Sequence, residues 1–374
     1  MKIGLNATCF NDRPSGAKQR FIGLYNELFK LMPETHFVIF EPQDCKMIDW
    51  FDNHKNISFY STPIPSEGRL RKFVKGVFFW NYTLKKEKFD IFEGFNLPMI
   101  KNFHGKSVMT IHDLRGLMPE YSFLYRKIFK LVLFLSFKRC NHVITGSKII
   151  KKDIEYYFPF VDISVIYNGI SREKFIRTSD MEIRAIQKSL NLPKKFILAV
   201  GHFERRKNYI KLLNAISSLD NEIEDCYLVI IGNNNGELSA VEHEINLLDL
   251  NDKVKIYSGL SDIEVYSAYK ACSIFIFPSL YEGFGIPILE AMNAKAPTLL
   301  SNLEVFKEIT ENKLTYFDPL STESMKESIY SHLSNDSLRE KNIEYGEKRI
   351  NSFTFNNIAT QVEHLYRALH KKDA

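Results

Sequence analysis

The feature that most constrains this chain is an alternation of short apolar runs with longer helical patterns. Ile3 to Ala7 reads as a strand, Lys18 to Leu31 as a helix and Phe37 to Phe40 as the next strand, and Val108 to Ile111 and His142 to Thr145 continue the series. Strands separated by helices need crossover connections, so the sheet they form is parallel and covered on both faces. The pattern restarts with Phe196 to Val200, Tyr227 to Ile231, Val254 to Tyr257 and Ile274 to Phe277, spaced by helices such as Tyr209 to Leu219. The expected fold is α/β, with two doubly wound Rossmann-like domains. A length of 374 residues agrees, because one hydrophobic core rarely grows that large.

Residues 171–195 carry mixed charge, lack a strong strand and end in Leu192-Pro193-Lys194-Lys195, which marks them as the expected interdomain connection. The expected boundaries are 1–170, a linker at 171–195, 196–355, and a closing helix at 356–374 that packs back on the first domain. The stretch from about Thr322 onward reads as helical throughout. Hydrophobic residues at 45% and charged residues at 25% supply two ordinary cores and argue against disorder.

Several function classes are excluded early. A net charge of +5 is too small and too dispersed for nucleic-acid binding. The five cysteines, Cys9, Cys45, Cys140, Cys226 and Cys272, contain no C-x-x-C pair, so neither a disulfide framework nor a zinc site is suggested and a reducing cytosol fits. No charged-then-apolar leader opens the sequence, and the longest apolar runs fall short of a membrane span. There is no G-x-x-x-x-G-K-[ST] loop and no Asp-x-Asp pair to hold a divalent cation against a diphosphate.

Ligands of open α/β sheets bind beyond the carboxyl ends of the strands, so the loops there are the places to search. After Ile274 to Phe277 comes Ser279-Leu280-Tyr281-Glu282-Gly283-Phe284-Gly285-Ile286-Pro287-Ile288-Leu289-Glu290. Gly283 and Gly285 let backbone approach a ligand, and Pro287 suits the first turn of a helix whose free N–H groups favour an anion. Glu282 and Glu290 are spaced so that both carboxylates can face one pocket. The same segment also reads as a helix entry with a capping acid and a solvated glutamate. It is not a dinucleotide fingerprint, because Ile288 stands where Gly or Ala is needed.

After Phe196 to Val200 come Arg205, Arg206 and Lys207, three consecutive cations that can clamp a diphosphate or form a plain surface cluster. His112 and Asp113 end a buried strand. The His can donate to a substrate oxygen while the Asp orients it or contacts an acceptor; a structural hydrogen bond is the other reading. The turn Pro14-Ser15-Gly16 is a place where backbone amides can approach a phosphate, or an ordinary tight turn.

Together these residues resemble the large family four of retaining glycosyltransferases, whose fold, GT-B, sets two such domains facing each other across a cleft. Glu282 to Glu290 is similar to that family's E-x7-E motif, Arg206-Lys207-Asn208 to its Arg-Lys-Asn clamp and His112-Asp113 to its His-Asp pair. Val143 to Ser147, Val165 to Ile170 and Tyr316 to Pro319 match in order and spacing, so the resemblance covers almost the whole chain. One departure is Ser15-Gly16, where many members carry Gly-Gly.

The resemblance implies a metal-independent, cofactor-free hexosyltransferase that takes a nucleotide diphosphate sugar as donor and a saccharide or lipid-linked saccharide as acceptor in bacterial surface-polysaccharide synthesis. The first domain would hold the acceptor and the second the nucleotide sugar. Glu290 would bind the ribose, and Arg206, Lys207, Gly16 and the Gly283, Phe284, Gly285 and Ile286 backbone the diphosphate. Glu282 would bind the sugar and leaving group, with His112 and Asp113 near the reacting face. Same-face attack would retain configuration, and no protein nucleophile is implied. The two halves are expected to bring Arg206, Lys207, Glu282 and Glu290 around one ligand.

Arg69 to Lys75 and Tyr125 to Lys130 interleave cations with apolar residues, which suits an anionic membrane surface or a solvated helix face; the expectation is a cytoplasmic protein with weak inner-leaflet association. Two rivals are a nucleotide-sugar epimerase of the same fold and a non-catalytic saccharide-binding protein.

Overall fold

The structure is a computed structural model and describes residues 1–13, 15–95, 105–172, 178–219 and 226–371. It contains two compact units. One comprises Met1–Gly169 with Phe355–Ala374, the other Ile170–Thr354.

In the first unit, seven parallel strands lie in the order β3-β2-β1-β4-β5-β6-β7. They are β1 (Lys2–Asn6), β2 (His36–Glu41), β3 (Ile57–Ser61), β4 (Ile91–Phe95), β5 (Lys106–Ile111), β6 (His142–Thr145) and β7 (Ile163–Val165). Helices α1 (Gly16–Leu31), α2 (Arg69–Lys86), α3 (Phe123–Phe137) and α4 (Lys148–Tyr157) belong to the same unit. Serine hydroxyls start three of them: Ser15, Ser122 and Ser147 accept from the backbone N–H groups of Lys18, Tyr125 and Ile150, which satisfies donors that a helix start leaves unpaired.

The second unit has the order β10-β9-β8-β11-β12-β13, again parallel. Its strands are β8 (Phe196–Val200), β9 (Tyr227–Ile231), β10 (Val254–Tyr257), β11 (Ile274–Phe277), β12 (Thr298–Ser301) and β13 (Thr315–Phe317). Its helices are α5 (Asp180–Ser189), α6 (Tyr209–Ser217), α7 (Leu238–Leu247), α8 (Asp262–Ala271), α9 (Ile286–Asn293), α10 (Glu304–Ile309), α11 (Thr322–Ser334) and α12 (Asp336–Arg349). Strand β8 pairs with β9 on one side and β11 on the other. The strand order reverses there, so the loops after β8 and β11 emerge side by side at the carboxyl end of the sheet.

The chain returns to the first unit with α13 (Phe355–Lys371), which packs along α1. Phe355, Ile358, Ala359, Val362, Tyr366 and Leu369 are its buried residues, an i, i+3, i+4, i+7 stripe facing the core of Ile3, Leu5, Phe21, Leu24 and Leu28. Gly23 is what lets the two helices approach: a Cβ there would collide with the Phe355 ring.

Two expectations are corrected. The segment 171–195 is not a bare connection, because residues 180–189 form α5, capped by a reciprocal Ser179–Glu182 capping box and packed on α8. Gln187 Nε2 donates to the Ser267 carbonyl at 3.0 Å, which ties this helix into the second unit. Residues 173–177 of that segment lie outside the described residues, as do 372–374 at the end of the last helix. The closing stretch is also broken, by a 3-10 turn at Ile350–Phe353 and an extended Thr354 between α12 and α13. Among the described residues, no helix is long and apolar enough to cross a membrane.

Candidate functional site

The loop after β8 turns through a 3-10 helix, Arg205–Lys207, and ends at Asn208 in the left-handed conformation with φ 61°. Asn208 Nδ2 donates to the Pro319 carbonyl at 2.8 Å and fixes the turn. The three cations then part company: Arg205 is exposed, whereas Lys207 is 6% exposed and Arg206 lies between. The Leu280 N–H donates to the Arg206 carbonyl at 2.7 Å, which joins this loop to the one after β11.

That join places Glu282 against both cations. Its Oε1 accepts from Arg206 Nη1 at 2.5 Å, Lys207 Nζ at 2.8 Å and Ser279 Oγ at 3.0 Å. Arg206 Nε donates to Glu204 at 2.6 Å, and the Lys207 ammonium stands 4.5 Å from the centre of the Phe277 ring. Burial works to raise the Glu282 carboxyl, but the Lys207 and Arg206 charges and the Lys207 and Ser279 hydrogen bonds outweigh it and hold Glu282 below the ordinary carboxylate range. Burial draws Lys207 downward, opposed by Glu282. The result is an ionised, charge-balanced cluster at the mouth of the sheet.

Beyond Glu282, Gly285 takes φ 119°, a conformation that favours glycine, and begins α9 with Pro287 in its first turn. Gly283 and the buried Phe284 lead into that turn, and Ile286 is the first helical residue. Glu290 lies one turn further, where its Oε2 accepts from the Tyr269 hydroxyl of α8 at 3.1 Å. Burial, with Asp262 adding to it, raises the Glu290 carboxyl to about 7 against the Tyr269 hydrogen bond and the Lys207 charge.

Arg206, Lys207, Glu282 and Glu290 therefore all come from the second unit, within the segment 196–355 expected to hold the nucleotide sugar. Glu204, Ser279 and Tyr269 join them without having been singled out by the sequence pattern. Ser279 precedes Glu282 by three residues and Glu204 precedes Arg206 by two, so local spacing carries a signal for both; nothing near α9 announces Tyr269.

The other anticipated residues belong to the first unit. Gly16 is the first residue of α1, beside the capping Ser15, and Pro14 of the same turn lies outside the described residues. His112 follows β5, half-buried, and burial together with the positive charge of Arg20 pushes its imidazole down to about 3, so it is neutral at neutral pH. Asp113 is engaged with Arg115, accepting from its backbone N–H and its Nε, each at 3.0 Å. Among the described residues, no cluster of three or more His, Cys, Asp or Glu side chains could hold a metal ion.

Comparison with known proteins bears on both units. Residues 15–174 match the family described as Glycosyltransferase Family 4, and residues 181–349 the one described as Glycosyl transferases group 1. The chain is 30% identical over 238 residues to the O-antigen chain mannosyltransferase RfbU of Salmonella typhimurium, a match spanning 62% of this chain and 61% of that relative's length. Among solved structures, a sucrose-phosphate synthase from Thermosynechococcus elongatus superposes with a TM-score of 0.79 at 18% identity over 99% of both chains. Anabaena HepE in complex with UDP and glucose gives 0.74 at 18% identity over 98% of this chain and 100% of that one.

Proposed function

The chain belongs to the GT-B glycosyltransferases that join a family 4 half to a group 1 half, and on that premise we propose that it moves a hexose from a nucleotide diphosphate sugar to a saccharide or lipid-linked saccharide acceptor. The observation that carries this reading is Glu282 Oε1 held by Arg206, Lys207 and Ser279 where the loops after β8 and β11 meet. Such a cluster stores two cations at a low-dielectric site until an anionic ligand redistributes their hydrogen bonds. Arg206 then grips the diphosphate as a fork and Lys207 as a point charge. The amides of Gly283 to Ile286 and of Gly16 add further donors. Glu290 accepts from the ribose hydroxyls.

The transfer retains configuration. The acceptor oxygen bonds to the anomeric carbon on the face that the diphosphate leaves, the carbon–phosphate-oxygen bond breaks, and the leaving oxygen takes the acceptor proton. Arg206 and Lys207 stabilise the charge that builds on that oxygen. Glu282 orients the sugar, and neutral His112, with Asp113 beside it, donates to a sugar oxygen. These cations take the part a divalent metal would play, so the reaction needs none.

The Salmonella relative's name makes mannose the first sugar to try and bacterial surface polysaccharide the expected product; the HepE complex makes UDP-glucose the second donor. Helix α3 supports a cytoplasmic enzyme resting on the membrane, because Phe123, Leu124, Ile128 and Leu131 are exposed beside Lys127 and Lys130. The test is a melting-temperature screen with UDP, GDP, dTDP and their sugars, followed by transfer assays with EDTA. One nucleotide should stabilise the protein, Lys207→Ala should abolish the shift, and EDTA should leave transfer unchanged. Indifference to every nucleotide would sink the reading.

A further inference from the structure

The transfer chemistry leaves one buried cation of the first unit unused. Arg20, on α1, is 2% exposed, and its Nε has no hydrogen-bond partner. Among the described residues its guanidinium makes no hydrogen bond and no ion pair. The nearby acid does not compensate it by contact, because the buried Glu93 carboxylate is taken by other donors. These are the Tyr25 hydroxyl at 2.8 Å, the Thr110 hydroxyl at 2.5 Å and the Tyr366 hydroxyl of α13. A buried donor left unmet is costly, so a site that keeps one on a guanidinium has a use for it.

The register says where that use lies. Glu93 pairs with Val108 across β4 and β5, so Thr110 shares its face, and His112, two residues on, continues it. Two strand residues carry His112 about 6.6 Å beyond Thr110 toward the carboxyl end of the sheet. Helix α1 runs back between parallel β1 and β2, so its N-terminal end lies at that same end of the sheet. Arg20 precedes Tyr25 by five residues and stands about 7.5 Å further along the axis in the same direction. Glu93 ties Tyr25 to Thr110, and one step outward from each of them are Arg20 and His112. The influence of the Arg20 charge on the His112 ring agrees with this placement.

We propose that Arg20 anchors an oxyanion subsite at the carboxyl end of the first sheet, where its fork receives a phosphoryl or carboxylate group beside the His112 ring. Two sources share that chemistry: the diphosphate of the donor, and a phosphate or uronic carboxylate on the acceptor saccharide. The subsite itself stands on the first unit alone; assigning its anion to a transfer partner rests on the glycosyltransferase reading above.

The experiment follows the His112 imidazole resonances of the full chain while inorganic pyrophosphate is added, in the wild type, Arg20→Met and Arg20→Lys. A saturable shift in the wild type, lost in Arg20→Met and about tenfold weaker in Arg20→Lys, is the expected result. Arg20→Met takes a positive charge away from the neighbourhood of buried Glu93, so it should melt lower than the wild type. If it fails to fold, Arg20→Lys carries the comparison. No shift in the wild type, or the same shift in a folded Arg20 variant, overturns the subsite. Kinetics of Arg20→Lys then identify the source: a raised KM for the donor alone points to the diphosphate, and a raised KM for the acceptor alone points to the acceptor's anion. No change in either overturns the link to transfer. The resonance measurement needs no turnover, so it decides for or against the subsite even in a protein without transferase activity.

Discussion

One oxygen of Glu282 receives an ammonium, a guanidinium and a hydroxyl, and a buried charge removed from such a group leaves the others exposed to the full cost of burial. Glu282→Gln should therefore lower stability by about 3 kcal/mol in urea unfolding. It should also cut transfer by about a hundredfold or more. Glu290 behaves differently. Its carboxyl is raised from an ordinary 4.5 to about 7, so the folded protein holds this proton more tightly than the unfolded chain, and the Glu290 contribution to stability falls as pH rises from about 4.5 to 7. In the ribose-binding role proposed for it, Glu290 accepts more strongly as a carboxylate, which carries charge and no proton on either oxygen. Nucleotide affinity, measured by calorimetry, should accordingly climb as pH passes through 7, and Glu290→Gln should both weaken binding and flatten that climb. The charged members of the cluster are legible in the sequence because acids and bases stand out at strand ends. Tyr269 is not, because its role depends on which face of α8 meets α9.

At the scale of elements, legibility follows the continuity of apolar runs. Strands β6, β8, β9, β10 and β11 can be read from the sequence to the residue, β8, β9 and β11 being largely buried apolar runs. Strand β4 escapes such a reading because Glu93 and Gly94 break its pattern, and the hydroxyls of Tyr25, Thr110 and Tyr366 help to make a carboxylate tolerable there. Helix α5 looks like a connection because only Ile183 on it is buried, which leaves its sequence polar like a loop. The contact of α13 with α1 is foreseeable in outline, while the glycine that permits it is not. Gly23→Val should cost about 1–3 kcal/mol in thermal or urea unfolding by forcing the Phe355 ring aside. A substitution on the exposed side of the same helix pair, such as Gln361→Ala, should leave stability within about 0.5 kcal/mol.

For the whole molecule, a net charge of +5 says little, but Lys127 and Lys130 on α3 beside exposed Phe123, Leu124, Ile128 and Leu131 say more. Binding to anionic vesicles should weaken as salt rises, and the pair Leu124→Glu with Ile128→Glu should abolish sedimentation with lipid while transfer to a short soluble acceptor persists. The division into units is foreseeable from the restart of the strand pattern, and the crossing points, at Gly169 to Ile170 and Thr354 to Phe355, lie beside the expected boundaries at 170 and 355; what is not foreseeable is that residues 171–195 belong to the second unit. Those crossings make the first unit discontinuous, with the whole second unit spliced into it ahead of α13. A ribosome making this chain releases the first sheet early yet withholds its covering helix until the whole second unit has been made. The groove along α1 that Phe355, Val362 and Tyr366 will fill must wait through the synthesis of residues 170–354, so the half that begins first is the half that matures second.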